Sequence, residues 1–315
     1  VLCQRRGVEP TWALGNFVKE GGAGAILLYN SPDNYDFNSY LHPIPAVVVL
    51  ASIGQQIKQF IAAHPGETIQ VNFSAGAAVY APDARIPVDT VVGFSSRGPN
   101  INEEAMTLIN VIKPDLTAPG IHVLAGASPQ HITALNDGST GLYGAQGELF
   151  QVIQGTSMAS PHLAGLGALL TALHPDWSPT QIRSALMMTA HDLNQKSRTP
   201  DGDLVATPFD MGAGRVDLNQ AGRVGLLLDE SAAAFEAANP TMGGDPSKLN
   251  LPGLTQSDCV YNCSWERLVT NPLARTVAWT ISATTSPTLT LTAQPSSFSL
   301  APGASQLITF TANLN

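Results

Sequence analysis

The run Gly155-Thr156-Ser157-Met158-Ala159-Ser160-Pro161-His162 constrains the fold more than any other stretch of this chain. It leads from a loop into a segment, ending near Leu173, made almost wholly of small and apolar residues. Gly165 and Gly167 lie inside that segment, and each costs a helix about 1 kcal/mol relative to Ala. Such a cost is tolerable where another backbone comes close. The sequence therefore predicts a central helix packed against a sheet. Ser157 falls in its first turn, beside N–H groups that a helix cannot satisfy internally and at the positive end of the dipole. An oxyanion formed by attack on a carbonyl is stabilised in those surroundings. Serine is also favoured as a helix cap, so the octapeptide alone fits both a nucleophile and a cap.

Four further stretches form an ordered series with it. Phe94-Ser95-Ser96-Arg97-Gly98-Pro99 precedes Lys113-Pro114-Asp115-Leu116-Thr117-Ala118-Pro119-Gly120, and both precede Ser157. His174-Pro175-Asp176-Trp177-Ser178-Pro179 and Phe209-Asp210-Met211-Gly212-Ala213-Gly214-Arg215-Val216 follow it. In this order the five stretches resemble motifs of the subtilisin-like serine peptidases, the subtilases. The resemblance implies an α/β catalytic domain with a parallel sheet, Ser157 as nucleophile, polypeptide substrates and an extracellular location. It implies no cofactor and no metal in the catalytic site.

Subtilases use an Asp…His…Ser order for their triad. No Asp-Ser-Gly or Asp-Thr-Gly follows an early strand, and His-Gly-Thr does not occur. The side-chain oxyanion donor of the family, an Asn after Gly, is also expected upstream. Gly15-Asn16 is the only such pair, and its neighbours Trp12, Ala13, Leu14 and Phe17 read as a helix face. The chain opens on Val1 rather than Met and is read as the C-terminal part of a longer subtilase. Its first expected partner is accordingly the N-terminal part of the same protein. His162 does not replace the missing base. Five residues beyond Ser157, it points about 140° away around the helix. His42, His64, His122, His131, His174 and His191 stand in no motif suggestive of a general base.

Other serine enzymes fail on single residues. The nucleophile elbow of α/β-hydrolases needs Gly two residues after the serine, where Ala159 stands. A Ser-x-x-Lys motif needs Lys at the position of Ser160. The competitor from another class is a non-catalytic fragment or pseudo-enzyme that serves as a protein-binding module. Charged residues are only 12%, and 24 acidic against 15 basic side chains give a net charge of −9. With no basic cluster, nucleic acid and anionic membrane are poor partners, and no nucleic acid is expected. The longest apolar runs, such as Ala46 to Ala51, are too short to span a bilayer.

The chain divides into residues 1–83, 84–229, a linker at 230–248, and 249–315. In the first part, spacing predicts helices over Thr11–Glu20 and Gly54–Ala63 and strands over Ala23–Tyr29, Ile44–Leu50 and Glu67–Phe73. Trp12, Phe17 and Val18, and then Ile57, Phe60 and Ile61, are the predicted core positions. Val1-Leu2-Cys3-Gln4-Arg5, Gly21 to Ala25 and Ile44-Pro45-Ala46-Val47 resemble the protease-associated domain that some subtilases carry. In the second part, strands are predicted near Val91 to Phe94 and from Ile121 to Ala125, as members of the parallel sheet. Ser178 with Pro179 and Gln181 predicts a capping box, with Ile182, Ala185 and Leu186 facing the core. In the last part, Trp265–Thr270, Thr276–Ala283, Thr288–Ala293 and Gln306–Ala312 read as strands. They resemble the antiparallel fibronectin type III-like sandwich of similar subtilases. Sixty-seven residues fall short of the roughly 100 of a full sandwich, so its last strands are expected beyond this chain.

Cys3, Cys259 and Cys263 are the only cysteines. Cys3 reads as a small buried hydrophobe. Cys259 and Cys263 lack the further ligands of a zinc site. The secreted character of the family favours a local disulfide between them, against the alternative of two free thiols. Asn262-Cys263-Ser264 and Asn72-Phe73-Ser74 have the form of N-glycosylation acceptors, which matter only for a eukaryotic source.

Overall fold

The computed structural model of the chain describes residues 1–5, 11–31, 42–72, 89–102, 107–129, 132–134, 140–142, 147, 149–191, 196–199 and 202–314. Two compact units emerge. One comprises residues 1–83 and 119–158, the other residues 84–118 and 159–315.

The first unit opens with β1 (Leu2–Gln4), α1 (Thr11–Glu20), β2 (Ile26–Tyr29), β3 (Ala46–Val49) and α2 (Ala51–Ala63). β2 is the middle strand of an all-parallel sheet, with Leu2 opposite Leu27 and Ile26 opposite Ala46. A middle parallel strand is covered on both faces, which favours an apolar run over alternation. Accordingly Ile26 and Leu28 are fully buried, and Tyr29 nearly so. Both helices fall where the spacing predicts, but their buried faces differ from the prediction. α1 buries Gly15 and Asn16, while Phe17 is exposed. α2 buries Gly54, against which the Tyr29 ring packs, while Phe60 and Ile61 are exposed. Of the predicted core positions, Val18 and Ile57 are half-buried, whereas Phe17, Phe60 and Ile61 lie on the outer faces. The side chain of Trp12 lies outside the described residues. Residues 67–72 form no strand, and Phe73 lies outside the description. Cys3 is a free thiol and only half-buried.

The chain next forms β4 (Thr90–Val91), β5 (Ile101–Asn102) and β6 (Thr107–Leu108) in the second unit. It returns to the first for β7 (Val123–Gly126), β8 (Ile132–Ala134), β9 (Thr140–Leu142) and β10 (Phe150–Ile153). β7 was expected to belong to a parallel sheet. It pairs antiparallel with β10 instead, Ile153 opposite Val123, because the chain reverses direction between them.

α3 (Thr156–Leu173) carries the chain into the second unit, followed by α4 (Pro179–Met188), β11 (Lys196–Thr199), β12 (Gly202–Val205), α5 (Pro208–Met211), α6 (Leu218–Ala221) and α7 (Ala232–Ala237). β11 lies between β12, antiparallel, and β4, parallel. Phe94, predicted to end the β4 strand, is exposed. The core gathers on α4. Leu186 meets Leu170 and Ala221, and Ala185 meets Val224 and Leu227. Ile182 packs at the edge of the first cluster. The capping box forms as predicted. Ser178 Oγ accepts the Gln181 N–H at 3.1 Å, and Gln181 Oε1 accepts the Ser178 N–H at 2.9 Å. Asp229 adds a carboxylate that accepts from the Ser178 and Thr180 hydroxyls.

α3 departs from the prediction. Leu170 is its one buried residue among those described, and Leu166 packs beside it. Leu169 and Leu173 are more than half exposed. A Cβ placed on Gly165 or Gly167 would meet nothing within 4 Å. No backbone approaches either glycine among the described residues, so the expected close sheet is not met there.

Toward the C-terminus stand β13 (Asn262–Thr270), β14 (Val277–Thr280), β15 (Leu289–Gln294), β16 (Ser297–Leu300) and β17 (Ser305–Leu314). All their pairings are antiparallel, in the orders β13-β17-β15 and β14-β16. Val269, Ile308, Ala293, Phe310 and Phe298 meet around Leu228, so both sheets share one core cluster. Arg267 occupies an inward position of β13 and is 4% exposed. Its guanidinium donates to the carbonyls of Leu251 at 2.6 Å and Gly253 and Glu266 at 2.8 Å. Burial lowers its pKa to about 10, with Glu230 opposing the shift. Cys259 and Cys263 are joined by a disulfide, their Cα atoms 5.7 Å apart.

Candidate active site

Ser157 stands where the sequence places it, in the first turn of α3 directly after β10. The approach depends on Gly155. Its φ of 148° lies in a region that side-chain-bearing residues rarely adopt, so the chain turns there at little cost. The Gly155 N–H donates to Gly120 O at 2.8 Å, and the Met158 N–H donates back to Gly155 O at 3.0 Å. These bonds hold the turn on both sides of Ser157. Thr156 and Ser157 are exposed, and Met158 is half-buried beside them. The Ser157 N–H belongs to the first four amides of the helix, which point outward without an intrahelical acceptor. A hydroxyl and an outward-pointing amide thus share one residue. That pair fits attack on a carbonyl and capture of the resulting oxyanion.

Three of the described histidines, His191, His174 and His64, are engaged elsewhere. His191 Nε2 lies 2.8 Å from Asp217 Oδ2, a histidine–carboxylate pair that sequence reasoning did not reach. Twenty-six positions separate the two, and no motif links them. Its role is structural: Asp217 also accepts the Gln220 N–H to start α6, and His191 exchanges both backbone bonds with Arg215 at 2.8 Å. These bonds to Gln220 and His191 hold the Asp217 carboxyl below its ordinary range. His174 stacks on Trp177 with ring centroids 3.8 Å apart and bonds Gly222 O. His64 bonds Phe60 O. Burial lowers the pKa of His42. His162 is exposed. His131 lies outside the described residues. No group of three or more potential metal ligands occurs among the described residues.

The motifs on either side of Ser157 are brought together in the second unit. Arg97 Nε donates to Asp210 Oδ1 at 2.6 Å, and Ser197 Oγ donates to the same oxygen at 2.7 Å. The other oxygen, Oδ2, accepts from the Thr207 N–H at 2.8 Å and the Thr207 hydroxyl at 2.7 Å. Burial raises the pKa of Asp210, but the four donors outweigh it and hold the carboxyl at about 2. Two glycines bring the backbones together. A Cβ on Gly98 would lie 2.3 Å from Lys113 O, and one on Gly212 would lie 2.3 Å from Pro114 O and Asp115 O. Asp115 then takes salt bridges from Lys113 at 2.6 Å and Arg183 at 2.5 Å. Residues 94–99, 113–118 and 209–216 therefore meet within the second unit. The order of these motifs was legible in the sequence, but not the close approaches at Gly98 and Gly212.

Comparison with known proteins agrees with the motif order. The model of the subtilase family matches residues 4–214. The chain is similar to the subtilisin-like protease SBT1.4 of Arabidopsis thaliana, 38% identical over 75% of this chain and 29% of that protein. It is similar to SBT1.7 of the same plant, 37% identical over 73% of this chain and 29% of the relative. The subtilisin-like protease SBT3 of Solanum lycopersicum is 34% identical over 75% of this chain and 29% of its own length. The chain thus spans less than a third of these relatives. The solved structure of fervidolysin from Fervidobacterium pennivorans, a keratinolytic enzyme related to subtilisin, is 28% identical. It covers 37% of this chain and 16% of its own, with a TM-score of 0.25, which is too low to bear on the fold. No described helix is long and apolar enough to cross a membrane. With its motifs in order around Ser157 and the family match running across two thirds of its length, the chain belongs to the subtilase family.

Proposed function

We propose that this chain is the serine-bearing C-terminal part of an extracellular serine endopeptidase. The observation that carries the proposal is Ser157 itself, exposed in the first turn of α3 behind the Gly155 turn. Ser157 Oγ attacks the carbonyl carbon of a polypeptide substrate. A histidine from the upstream portion takes its proton, oriented by an upstream aspartate, and later returns it to the leaving amine. The Ser157 N–H and an upstream asparagine hold the oxyanion. One such donor is worth about 10²–10³ in rate. Gln154 to Thr156 line the leaving-group side.

In this reading residues 1–83 form a protease-associated domain inserted ahead of the nucleophile. Residues 84–229 are the C-terminal part of the catalytic domain, and 249–315 form a fibronectin type III-like sandwich. The upstream portion supplies the sheet that α3 lacks among the described residues. The test is fluorophosphonate labelling of the full-length protein. Labelling at Ser157 that disappears in Ser157→Ala supports the reading. A correctly folded full-length protein that takes no label would make it a pseudo-enzyme.

A further inference from the structure

We infer that Asn262 is the acceptor of an N-linked oligosaccharide, and that this glycan covers the apolar tip of the neighbouring disulfide loop. The inference rests on the extracellular reading above, because the sugar is attached in the secretory pathway. Asn262 is the first residue of β13. Side chains alternate along a strand, so Asn262 and Ser264 share one face and Cys263 takes the other. Both Asn262 and Ser264 are exposed, whereas Cys263 turns inward to its bond with Cys259. Neither the Asn262 nor the Ser264 side chain takes part in a hydrogen bond among the described residues. The acceptor amide and the hydroxyl that the Asn-x-Ser motif requires are thus presented together.

The surroundings supply a second, independent reason. The disulfide loop lifts Val260 and Tyr261 into solvent, 69% and 78% exposed. Two apolar residues held at the tip of a closed loop form a sticky point. β13 is also an edge strand of its sheet, and an open edge invites pairing with another chain. A glycan on Asn262 stands beside both hazards. The nearby outward side chains, Asn313 opposite Asn262 and Thr311 opposite Ser264, are uncharged and polar. They allow sugar hydroxyls to lie along the sheet without desolvating a charge.

The donor is an oligosaccharide linked through its anomeric carbon to a polyprenyl diphosphate. Asn262 Nδ2 forms the new bond to that carbon as the bond to the diphosphate oxygen breaks. The diphosphate leaves with the electron pair, and the amide proton passes to a base of the transferase.

The test uses the full-length protein produced in plant cells. Peptides containing position 262 are released with an amidase that cleaves the glycan in heavy-oxygen water. The expected result is a heavy-oxygen tag at position 262, with the gel mobility shift of one glycan lost in Asn262→Gln and in Ser264→Ala. Ser264→Thr should keep the shift, and Asn72→Gln should leave position 262 tagged. The Asn262→Gln protein should also show a several-fold larger aggregate fraction. Secreted protein with an unmodified Asn262 overturns the inference while the extracellular reading stands. Protein retained in the cytosol overturns both. A glycan whose removal leaves aggregation unchanged overturns the covering role.

Discussion

At the scale of single residues, Asp210 and Gly155 are held for different reasons. The Asp210 side chain is 11% exposed and accepts four hydrogen bonds, one of them from Arg97. Its carboxyl falls from 3.8 in the unfolded chain to about 2 when folded. Between those values the unfolded state binds more protons, so stability falls as pH falls. The contribution, about 2 kcal/mol, is complete above pH 4 and is lost as pH drops through about 2. Urea unfolding between pH 7 and pH 2.5 should show a steeper loss in the native protein than in Asp210→Asn. The variant should also be several kcal/mol weaker at pH 7, because Arg97 loses its buried counter-charge. Equal slopes would assign the acid sensitivity to other groups. Gly155 is held by its φ of 148° and not by crowding, since its nearest neighbour to an added Cβ is 3.6 Å away. Gly155→Ala should therefore cost about 1–3 kcal/mol of local strain, released by shifting the Ser157 turn. In the full-length enzyme we expect kcat to fall far more than the melting temperature. A variant that loses stability and keeps kcat would mean that the turn does not position Ser157.

At the scale of elements, what was legible depended on how local the signal was. The capping box of α4 needs only Ser178, Pro179 and Gln181, all within one turn, and it forms as read. The C-terminal strands follow their alternation because one face of each sheet meets a common core. The buried faces of α1 and α2 were misread because the expectation followed side-chain size. Close packing selected Gly54, against Tyr29 of the parallel sheet, and Gly15, against His42 and Pro43, instead. The Arg97–Asp210 pair spans 113 positions, and no pattern of spacing announces it. At the site, the helix start beside Ser157 was legible from its octapeptide, whereas the Gly155–Gly120 bond that steadies its turn was not. α3 supplies a prediction of sign. Nothing lies within 4 Å of a Cβ on Gly165 or Gly167. In the 315-residue chain each Gly→Ala change should stabilise by about 0.5–1 kcal/mol through helix propensity alone. In the full-length protein, where our proposal packs a sheet on that face, the same changes should destabilise. Thermal melts of both forms decide it, and stabilisation in both would remove the case for a covering sheet.

At the scale of the whole molecule, the α3 face left open among the described residues and the proposal that the base lies upstream lead to one expectation for the 315-residue chain on its own. An alcohol without an adjacent base is a weak nucleophile, and triad members fail as a unit, so loss of the histidine costs about as much as loss of all three. Ser157 in this chain should take no fluorophosphonate label. Leu169 and Leu173, at 57% and 61% exposed, lie on a helix with no charged residue. Apolar surface left open in this way favours association. Light scattering should find the chain in oligomers, and replacing both leucines with glutamine should return it to monomer. Adding the upstream portion as a separate polypeptide should do two things at once: dissolve the oligomers by covering α3 and restore labelling by delivering the histidine and aspartate. The two effects should share one midpoint in a titration, because one docking event produces both. Labelling of the isolated chain, abolished by Ser157→Ala, would sink the idea by revealing a base within these residues. Dissociation without labelling would separate the covering of α3 from the assembly of the triad.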